Sequence, residues 1–84
     1  MSKKPIRIPA EKYQNLSGNS VVLQYKIVHD SVTVTYTDHS VYIYTNQSAG
    51  RLNVKKMKDL ALAGKGLGTF IEANVKENFS RKIR

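Results

Sequence analysis

Two histidine–aspartate pairs, His29-Asp30 and Asp38-His39, are the residues whose types most readily suggest chemistry. Histidine and carboxylate side chains serve as general acids and bases, and both bind metal ions. Neighbouring residues of one turn, however, rarely converge on a single substrate atom, and aspartate is a common turn residue. The chain has two histidines and no cysteine, and its carboxylates are scattered, so no metal-ligand spacing is present. We therefore expect both pairs in hairpin turns, and no enzyme, metal site or cofactor.

A glycine-rich stretch, "GKGLG" from Gly64 to Gly68, resembles a phosphate-binding loop only superficially. Such a loop needs the spacing G-x-x-x-x-G-K-[ST] between a strand and a helix. Here the spacing is too short, the residue after Lys65 is Gly66 where a serine or threonine would be needed, and the predicted element before the loop is a helix. The stretch is typical of a turn between two helices. A phosphate bound beside Lys65 by N–H groups of the second helix is a secondary hypothesis.

The distribution of charge favours a polyanionic partner. The net charge is +8; residues 1–16 carry +3, residues 17–50 carry −1 and residues 51–84 carry +6. Basic ends around a neutral centre favour RNA or another nucleic acid, because cations released from phosphates drive such binding. An acidic protein partner, or a lysine-rich surface without any ligand, is the alternative interpretation.

The stretch "HSVYIYTN" adds aromatic side chains to this hypothesis. In a strand, Tyr42 and Tyr44 point to the same face. Exposed aromatic rings stack on the bases of single-stranded nucleic acids while cations follow the phosphates. The candidate nucleic-acid-binding residues are Tyr42, Tyr44, Lys26, Lys55, Lys56, Lys58, Lys65, Lys76, Arg81 and Lys82.

Three runs of alternating apolar and polar residues must position the tyrosines. They are "VVLQYKIV" (21–28), "SVTVTYT" (31–37) and "SVYIYT" (40–45), separated by the two histidine–aspartate pairs. Runs rich in β-branched and aromatic residues with short polar separators predict an antiparallel meander. If both loops have two residues, Ile27 pairs with Val32, Leu23 and Val41 both pair with Tyr36, and Val34 pairs with Ile43.

This register predicts an apolar face for the core and a polar face that bears Gln24, Lys26, Thr33, Thr35, Tyr42 and Tyr44. A slip of one residue would turn the two tyrosines inward. Two interpretations of the tyrosines stay open: a platform for bases, or a surface covered by Ile6, Ile8 and Leu16 of the N-terminal segment.

Two helices follow the strands. The first, in "NVKKMKDLALAGKG", has Asn53 as its predicted N-cap and Gly64 as its end, with Val54, Met57, Leu60 and Ala61 on one stripe. The second lies in "LGTFIEANVKENF", with Leu67, Phe70, Ile71, Asn74 and Val75 on one face. The predicted fold is α+β, a three-stranded antiparallel β-meander packed on one face by two C-terminal helices.

The predicted organisation is a basic N-terminal arm, residues 1–16, and one domain, residues 17–84, with a short basic tail that frays. "NQSAGR", residues 46–51, is expected to be a loop. No run reaches the roughly 18 apolar residues that a membrane span requires. The lack of cysteine fits a reducing compartment. We expect a cytoplasmic protein without a membrane partner; the sequence does not indicate its oligomeric state.

The order of elements, the Tyr-x-Tyr strand, "LALAGKG" and "GTFIEANVKENF" resemble the KTSC domain, found at the C-terminus of some lysyl-tRNA synthetases and alone in small proteins. The resemblance covers about residues 17–83. The matching positions are Ser20, Val32, Val34, Tyr36, Tyr42, Tyr44, Leu60, Gly66, Gly68, Phe70, Asn74, Val75, Lys76 and Phe79. The sequence departs from the family pattern at three places. Glu72 stands where asparagine is common, and Asp38-His39-Ser40 stands before the third strand in place of a glycine turn. The loop "NQSAGR" lacks the proline that is usual before the first helix.

The resemblance implies the same α+β fold, and it suggests RNA binding through the family's association with a tRNA synthetase. We therefore expect a non-catalytic RNA- or nucleic-acid-binding domain that uses basic helices or tails, with Tyr42 and Tyr44 as possible stacking groups. The phosphates could also bind along Lys55, Lys56, Lys58 and Lys65 without the tyrosines. The alternative is a protein-interaction adaptor that docks through a sheet edge or a basic surface.

Overall fold

Five strands and three helices make up the part of the chain that the structure describes. The structure is a computed structural model, and it describes residues 10–84. Its elements are β1 (Glu11–Lys12), β2 (Val22–Val28), β3 (Ser31–Tyr36), β4 (Val41–Thr45), α1 (Asn46–Ala49), α2 (Arg51–Ala63), α3 (Leu67–Asn74) and β5 (Arg81–Lys82). The predicted α+β class is confirmed. The predictions for Ile6 and Ile8 lie outside the described residues.

The strands form one antiparallel sheet in the order β1-β2-β3-β4-β5. The predicted meander is the centre of this sheet, but the prediction of three strands is wrong. Glu11 of β1 pairs with Tyr25, and Arg81 of β5 pairs with Ile43. A strand of two residues is too short to show alternation, the signal that identifies strands in a sequence. The segments predicted as an irregular arm and a frayed tail therefore each contribute an edge strand.

The first hairpin has the predicted register over most of its length. Ile27 pairs with Val32 across a two-residue loop. A bulge between Val22 and Gln24 then changes the pairing, so that Val22 lies opposite Tyr36. A bulge inserts one extra residue into a strand and reverses the faces beyond it. Val22 therefore enters the core at 2% exposure, and the predicted place of Leu23 there, opposite Tyr36, is wrong.

The second hairpin is one residue out of the predicted register. Its loop has three residues, closed by the Tyr36 N–H, which donates to the Ser40 carbonyl at 2.9 Å. The last loop residue, His39, adopts a left-handed backbone with φ of 71°. This is the common three-residue hairpin loop with a left-handed third residue. Val34 consequently pairs with Tyr42 rather than with Ile43.

The segment after β4 is helical sooner than predicted. Thr45 caps α1 with its side chain, which accepts from the Ser48 N–H at 3.0 Å, while the Ser48 hydroxyl accepts from the Thr45 N–H. This reciprocal pair is a capping box. α2 begins after Gly50, so the predicted N-cap role of Asn53 is wrong; its side-chain amide donates to the Ala49 carbonyl.

The helices cover one face of the sheet and bury a single core. On α2 the predicted stripe is confirmed, with Val54, Met57 and Ala61 no more than 1% exposed. On α3 and just after it, the predicted face is confirmed for Leu67, Ile71 and Val75, while Phe70 is half-buried and Asn74 is exposed. The buried residues are Tyr13, Val22, Tyr25, Val32, Val34, Tyr44, Ala49, Val54, Met57, Ala61, Leu67, Ile71 and Val75.

Gly64 ends α2, as predicted, in a left-handed conformation with φ of 76°. A Cβ added there would lie 2.6 Å from the Gln14 Cβ. We expect Gly64→Ala to lower the free energy of unfolding by about 2–3 kcal/mol, because backbone strain and a steric clash add.

Gly18→Ala is the matched control, since φ is 86° and no atom lies within 4 Å of the added Cβ. It should cost only the strain, about 1–2 kcal/mol. Urea denaturation of both variants measures the difference, and equal losses would show that the segment containing Gln14 does not lie against Gly64.

Candidate functional site

The tyrosine pair lies on the face of the sheet that the helices cover. Tyr44 is 1% exposed, and its hydroxyl lies 3.1 Å from that of Tyr36. Burial raises the pKa of Tyr36 above its ordinary value, and the hydrogen bond with Tyr44 adds to this effect. Burial also raises the pKa of Tyr44. Both phenols therefore stay neutral; Tyr44 belongs to the core, and the half-buried Tyr36 packs against it.

The predicted polar-face position of Tyr42 and Tyr44 is wrong. The three-residue loop shifts β4 by one residue, and this turns both rings inward. Val41 and Ile43 take the opposite face, where they are half-buried. Tyr44 has no exposed surface on which a base could stack. Tyr42 is half-buried, with the Phe79 ring 4.9 Å and the Lys82 ammonium 5.6 Å from its centroid.

Leu16 does not cover the tyrosines, because its side chain is 64% exposed. Phe79 instead contacts Tyr42 edge-on from the segment that joins α3 to β5. Among the described residues, Tyr42 is thus covered from the C-terminal side of the chain. One interpretation of the sequence had placed this cover in the N-terminal segment.

The predicted cationic residues lie on several separate surfaces. Lys26 and Arg81 lie in one cross-strand row, on the sheet face turned away from the helices. Lys82 lies on the other face, opposite Tyr42. Lys76 follows α3, with its ammonium 3.1 Å from the Glu72 carboxylate. Lys65 lies in the turn between α2 and α3.

Three basic residues of α2 share one flank of the helix. Arg51, Lys55 and Lys58 follow the spacing i, i+4, i+7, which places side chains on one side of a helix. Lys56 is turned about 100° from Lys55, since a helix has 3.6 residues per turn. Arg51 was absent from the predicted site, although its spacing from the two lysines was readable in the sequence.

This flank is fixed to the tip of the first hairpin. The Lys58 ammonium donates to the His29 carbonyl at 2.7 Å. The Asn46 N–H donates to the Asp30 carbonyl at 3.0 Å. These two hydrogen bonds connect α1 and α2 to the same two-residue loop. The hairpin tip and the cationic flank of α2 therefore hold a defined relative position.

A cleft of about 210 Å³ lies between the tip and the helix. Its lining residues are His29, Asn46, Arg51, Val54, Lys55 and Lys58. We call it the basic cleft. Within residues 10–84, the ion pair that involves a lining side chain joins Lys55 to Asp59 at 3.4 Å, with both partners mostly exposed. Such a pair is worth at most about 1 kcal/mol, so Lys55 can exchange it for a phosphate.

The histidine–aspartate pairs occupy turns, as predicted. Asp38 accepts from the Ser40 N–H at 2.9 Å and from the Ser40 hydroxyl at 2.6 Å. The Ser40 hydroxyl lowers the pKa of this carboxyl below its ordinary value. His29 contacts the Lys58 ammonium through its main-chain carbonyl. Within residues 10–84 no three histidine, aspartate or glutamate side chains are grouped so as to hold a metal ion.

The N–H group that begins α3 is not free for a phosphate. The Leu67 N–H donates to the Tyr13 hydroxyl at 3.1 Å. The cleft beside this helix start is lined by Gly66, Gly68 and Glu72, among others, but not by Lys65. The geometry therefore counts against the secondary hypothesis of a phosphate site beside Lys65.

The two sheet edges predicted for docking are partly occupied. β1 pairs with β2, the first strand of the predicted meander, and β5 pairs with β4, the last. Each added strand is two residues long. Strand addition to β2 or β4 would have to displace these pairs or extend beyond them.

Of the described helices, none is long and apolar enough to cross a membrane. Comparisons with models of protein families, with curated proteins and with solved structures find no match for this chain. The resemblance to the KTSC domain therefore stays a prediction, and the geometry of the chain itself carries the functional argument.

Proposed function

We propose that this protein is a non-catalytic domain that binds single-stranded RNA or another nucleic acid, with the basic cleft as its phosphate site. The observation that carries the proposal is the grouping of Arg51, Lys55 and Lys58 beside a hairpin tip that helix contacts hold in place. The tyrosine pair has no part in it.

The chemistry of the cleft suits a phosphate group. Arg51 offers a planar set of N–H donors that matches two phosphate oxygens, and Lys55 supplies a mobile ammonium. The Lys58 ammonium has three protons, and one hydrogen bond to the His29 carbonyl leaves others for a ligand. The amide of Asn46 is a further polar group in the lining.

The overall charge also supports this function. A net charge of +8 draws a polyanion toward the protein over a distance of about a Debye length, roughly 8–10 Å at ordinary salt. Lys26 and Arg81 provide secondary contacts. They lie on the sheet face that is turned away from the helices, which we call the open sheet face. The resemblance to the KTSC domain, for which RNA binding is suggested, agrees with the proposal.

The test compares two double variants that remove the same charge. Arg51→Gln/Lys55→Gln changes the basic cleft, and Lys26→Gln/Arg81→Gln changes the open sheet face. We expect the cleft variant to weaken binding about 2- to 30-fold, the range for the loss of two exposed ion pairs. The sheet-face variant should change affinity less. Fluorescence anisotropy with a short labelled single-stranded RNA measures both.

Salt dependence gives an independent measure. For single strands, the slope of log affinity against log salt concentration is negative. It becomes shallower by about 0.7 for each phosphate contact that is lost. The cleft variant should therefore show a slope shallower by about 1.4. Equal losses in both variants would indicate diffuse attraction without a site. No binding of RNA at low salt would overturn the proposal and favour the protein-interaction adaptor.

A further inference from the structure

A second cleft, of about 630 Å³, opens between the β3–β4 hairpin and α3, and its volume is typical of sites for small molecules. Its residues are Val21, Tyr36, Thr37, Asp38, Tyr42, Tyr44, Gly68, Ile71, Glu72, Lys76, Glu77 and Phe79. We call it the aromatic cleft. The proposed nucleic-acid function makes no use of it.

The charge of the aromatic cleft is opposite to that of the protein. The chain has six aspartate and glutamate residues, and three of them, Asp38, Glu72 and Glu77, line this cleft. The one basic residue among the described lining residues is Lys76, which pairs with Glu72, while Lys82 and Arg84 share a neighbouring cleft with Asp38. The lining of this cleft thus holds more acidic than basic side chains, in a protein with a net charge of +8.

Tyr42 is the centre of the ring cluster in the cleft, stacked on Tyr44 at 25° and met edge-on by two other rings. Tyr36 and Tyr42 meet at 79° with centroids 5.6 Å apart, and Tyr42 and Phe79 meet at 67° with centroids 4.9 Å apart. Tyr36, Tyr42 and Phe79 are all half-buried, so part of each faces the cleft. The rings contact one another directly and form an aromatic wall of the cleft. The face of an aromatic ring on such a wall attracts an organic ammonium ion.

One cation of the chain already makes such a contact. The Lys82 ammonium lies 5.6 Å from the centroid of the Tyr42 ring, within the range of a cation–π interaction. The Ser40 hydrogen bonds have the larger effect in lowering the pKa of the Asp38 carboxyl, and Lys82 lies close enough to Asp38 to help lower it. A ring and a carboxylate of the cleft therefore act on the same ammonium group.

We propose that the aromatic cleft binds a small alkylammonium ion. The aliphatic body lies against Tyr36, Tyr42 and Phe79, and the ammonium group pairs with Glu72 or Glu77. Among the described residues, the Asp38 carboxylate accepts its hydrogen bonds from Ser40 through one oxygen, and its charge adds to the negative potential on the hairpin side of the cleft.

Three probes of equal chain length test the chemistry: 1,5-diaminopentane, the neutral 1,5-pentanediol and the anionic glutarate. We expect the diamine to bind with a dissociation constant of about 1 mM or below, a weak affinity on the usual scale. Calorimetry and amide NMR shifts at Tyr42, Glu72 and Phe79 measure it. The diol and glutarate should leave these signals unchanged. Absent or equal shifts for all three probes would overturn the proposal.

Charge-matched variants locate the site. Glu72→Gln/Glu77→Gln should weaken the diamine roughly tenfold, on the scale of two exposed ion pairs. Glu11→Gln/Asp59→Asn removes the same charge outside the cleft and should change affinity much less. All four carboxylates are exposed, so the variants should fold. Similar losses in both would show nonspecific attraction of the diamine and contradict the proposal.

Lys82 supplies a second test with the opposite sign. Because its ammonium occupies the Tyr42 ring, Lys82→Gln should tighten binding of the diamine about threefold, an effect on the scale of one exposed charge contact. Arg81→Gln is the matched control, since Arg81 points to the other face of the sheet. If Arg81→Gln tightens binding as much as Lys82→Gln does, the ring contact has no part in the site.

Discussion

Tyr44→Ala is expected to lower the free energy of unfolding by about 3–5 kcal/mol, whereas Ile43→Ala lowers it by only about 1 kcal/mol. The Tyr44 side chain is 1% exposed, between Val32 of β3 and the helices. Truncating a buried aromatic residue costs about 3–5 kcal/mol. A domain of this size has a total stability of about 4–13 kcal/mol, at 0.05–0.15 kcal/mol per residue. The loss is therefore a large part of the whole.

Ile43 is the control because it is the residue that the other register would bury. In the structure it is half-buried on the open sheet face, opposite Thr33. Losing such a cross-strand contact costs about 1 kcal/mol. Urea denaturation followed by circular dichroism compares the two variants. A greater loss for Ile43→Ala than for Tyr44→Ala would mean that the hairpin has a two-residue loop and that the observed register is wrong.

A conservative variant separates the ring from its hydroxyl. Tyr44→Phe keeps the buried ring and removes the 3.1 Å hydrogen bond with Tyr36. Its expected cost is about 1 kcal/mol, the usual net value of such a bond. A loss as large as that of Tyr44→Ala would show that the hydroxyl, rather than ring burial, holds this part of the core.

The face of β3 was predictable from the sequence, but the face of β4 was not. In "SVTVTY" threonine alternates with valine or tyrosine, so only one face can be buried. In "VYIYT" both faces are apolar, with Val41 and Ile43 on one and two tyrosines on the other. Which face of β4 is buried then depends on the length of the loop before it. The residue type at position 39 does not predict the positive φ that His39 adopts in this loop.

The candidate sites were predictable only in part, for a related reason. The spacing of Arg51, Lys55 and Lys58 on one flank of a helix is a local property that the sequence contains. Their position beside His29 depends on a hydrogen bond between residues 29 positions apart in the chain. The aromatic cleft likewise joins Asp38 in a hairpin loop to Glu72 on α3. Contacts of this kind follow from tertiary packing, which no periodicity encodes.

Tyr13 shows that the predicted boundary of the folded domain lies too far along the chain. Its side chain is 2% exposed, within the segment predicted as a basic arm. The Tyr13 N–H donates to the Leu23 carbonyl at 3.0 Å, which extends the pairing of β1 with β2. Its hydroxyl accepts from the Leu67 N–H at 3.1 Å. Gly66, the N-cap of α3, has no side chain to cap the helix, so Tyr13 does so from a distance in sequence.

Tyr13→Ala is therefore expected to destabilise the protein about as much as Tyr44→Ala, by roughly 3–5 kcal/mol. Tyr13→Phe keeps the ring but leaves the buried Leu67 N–H without its acceptor, at a cost of about 1–3 kcal/mol. Lys12→Ala, one residue away and exposed, is the control and should change stability by about 0.5 kcal/mol or less. Urea denaturation measures all three. If Tyr13→Ala costs no more than Lys12→Ala, residues 10–16 do not belong to the core, and the arm ends where the sequence predicted.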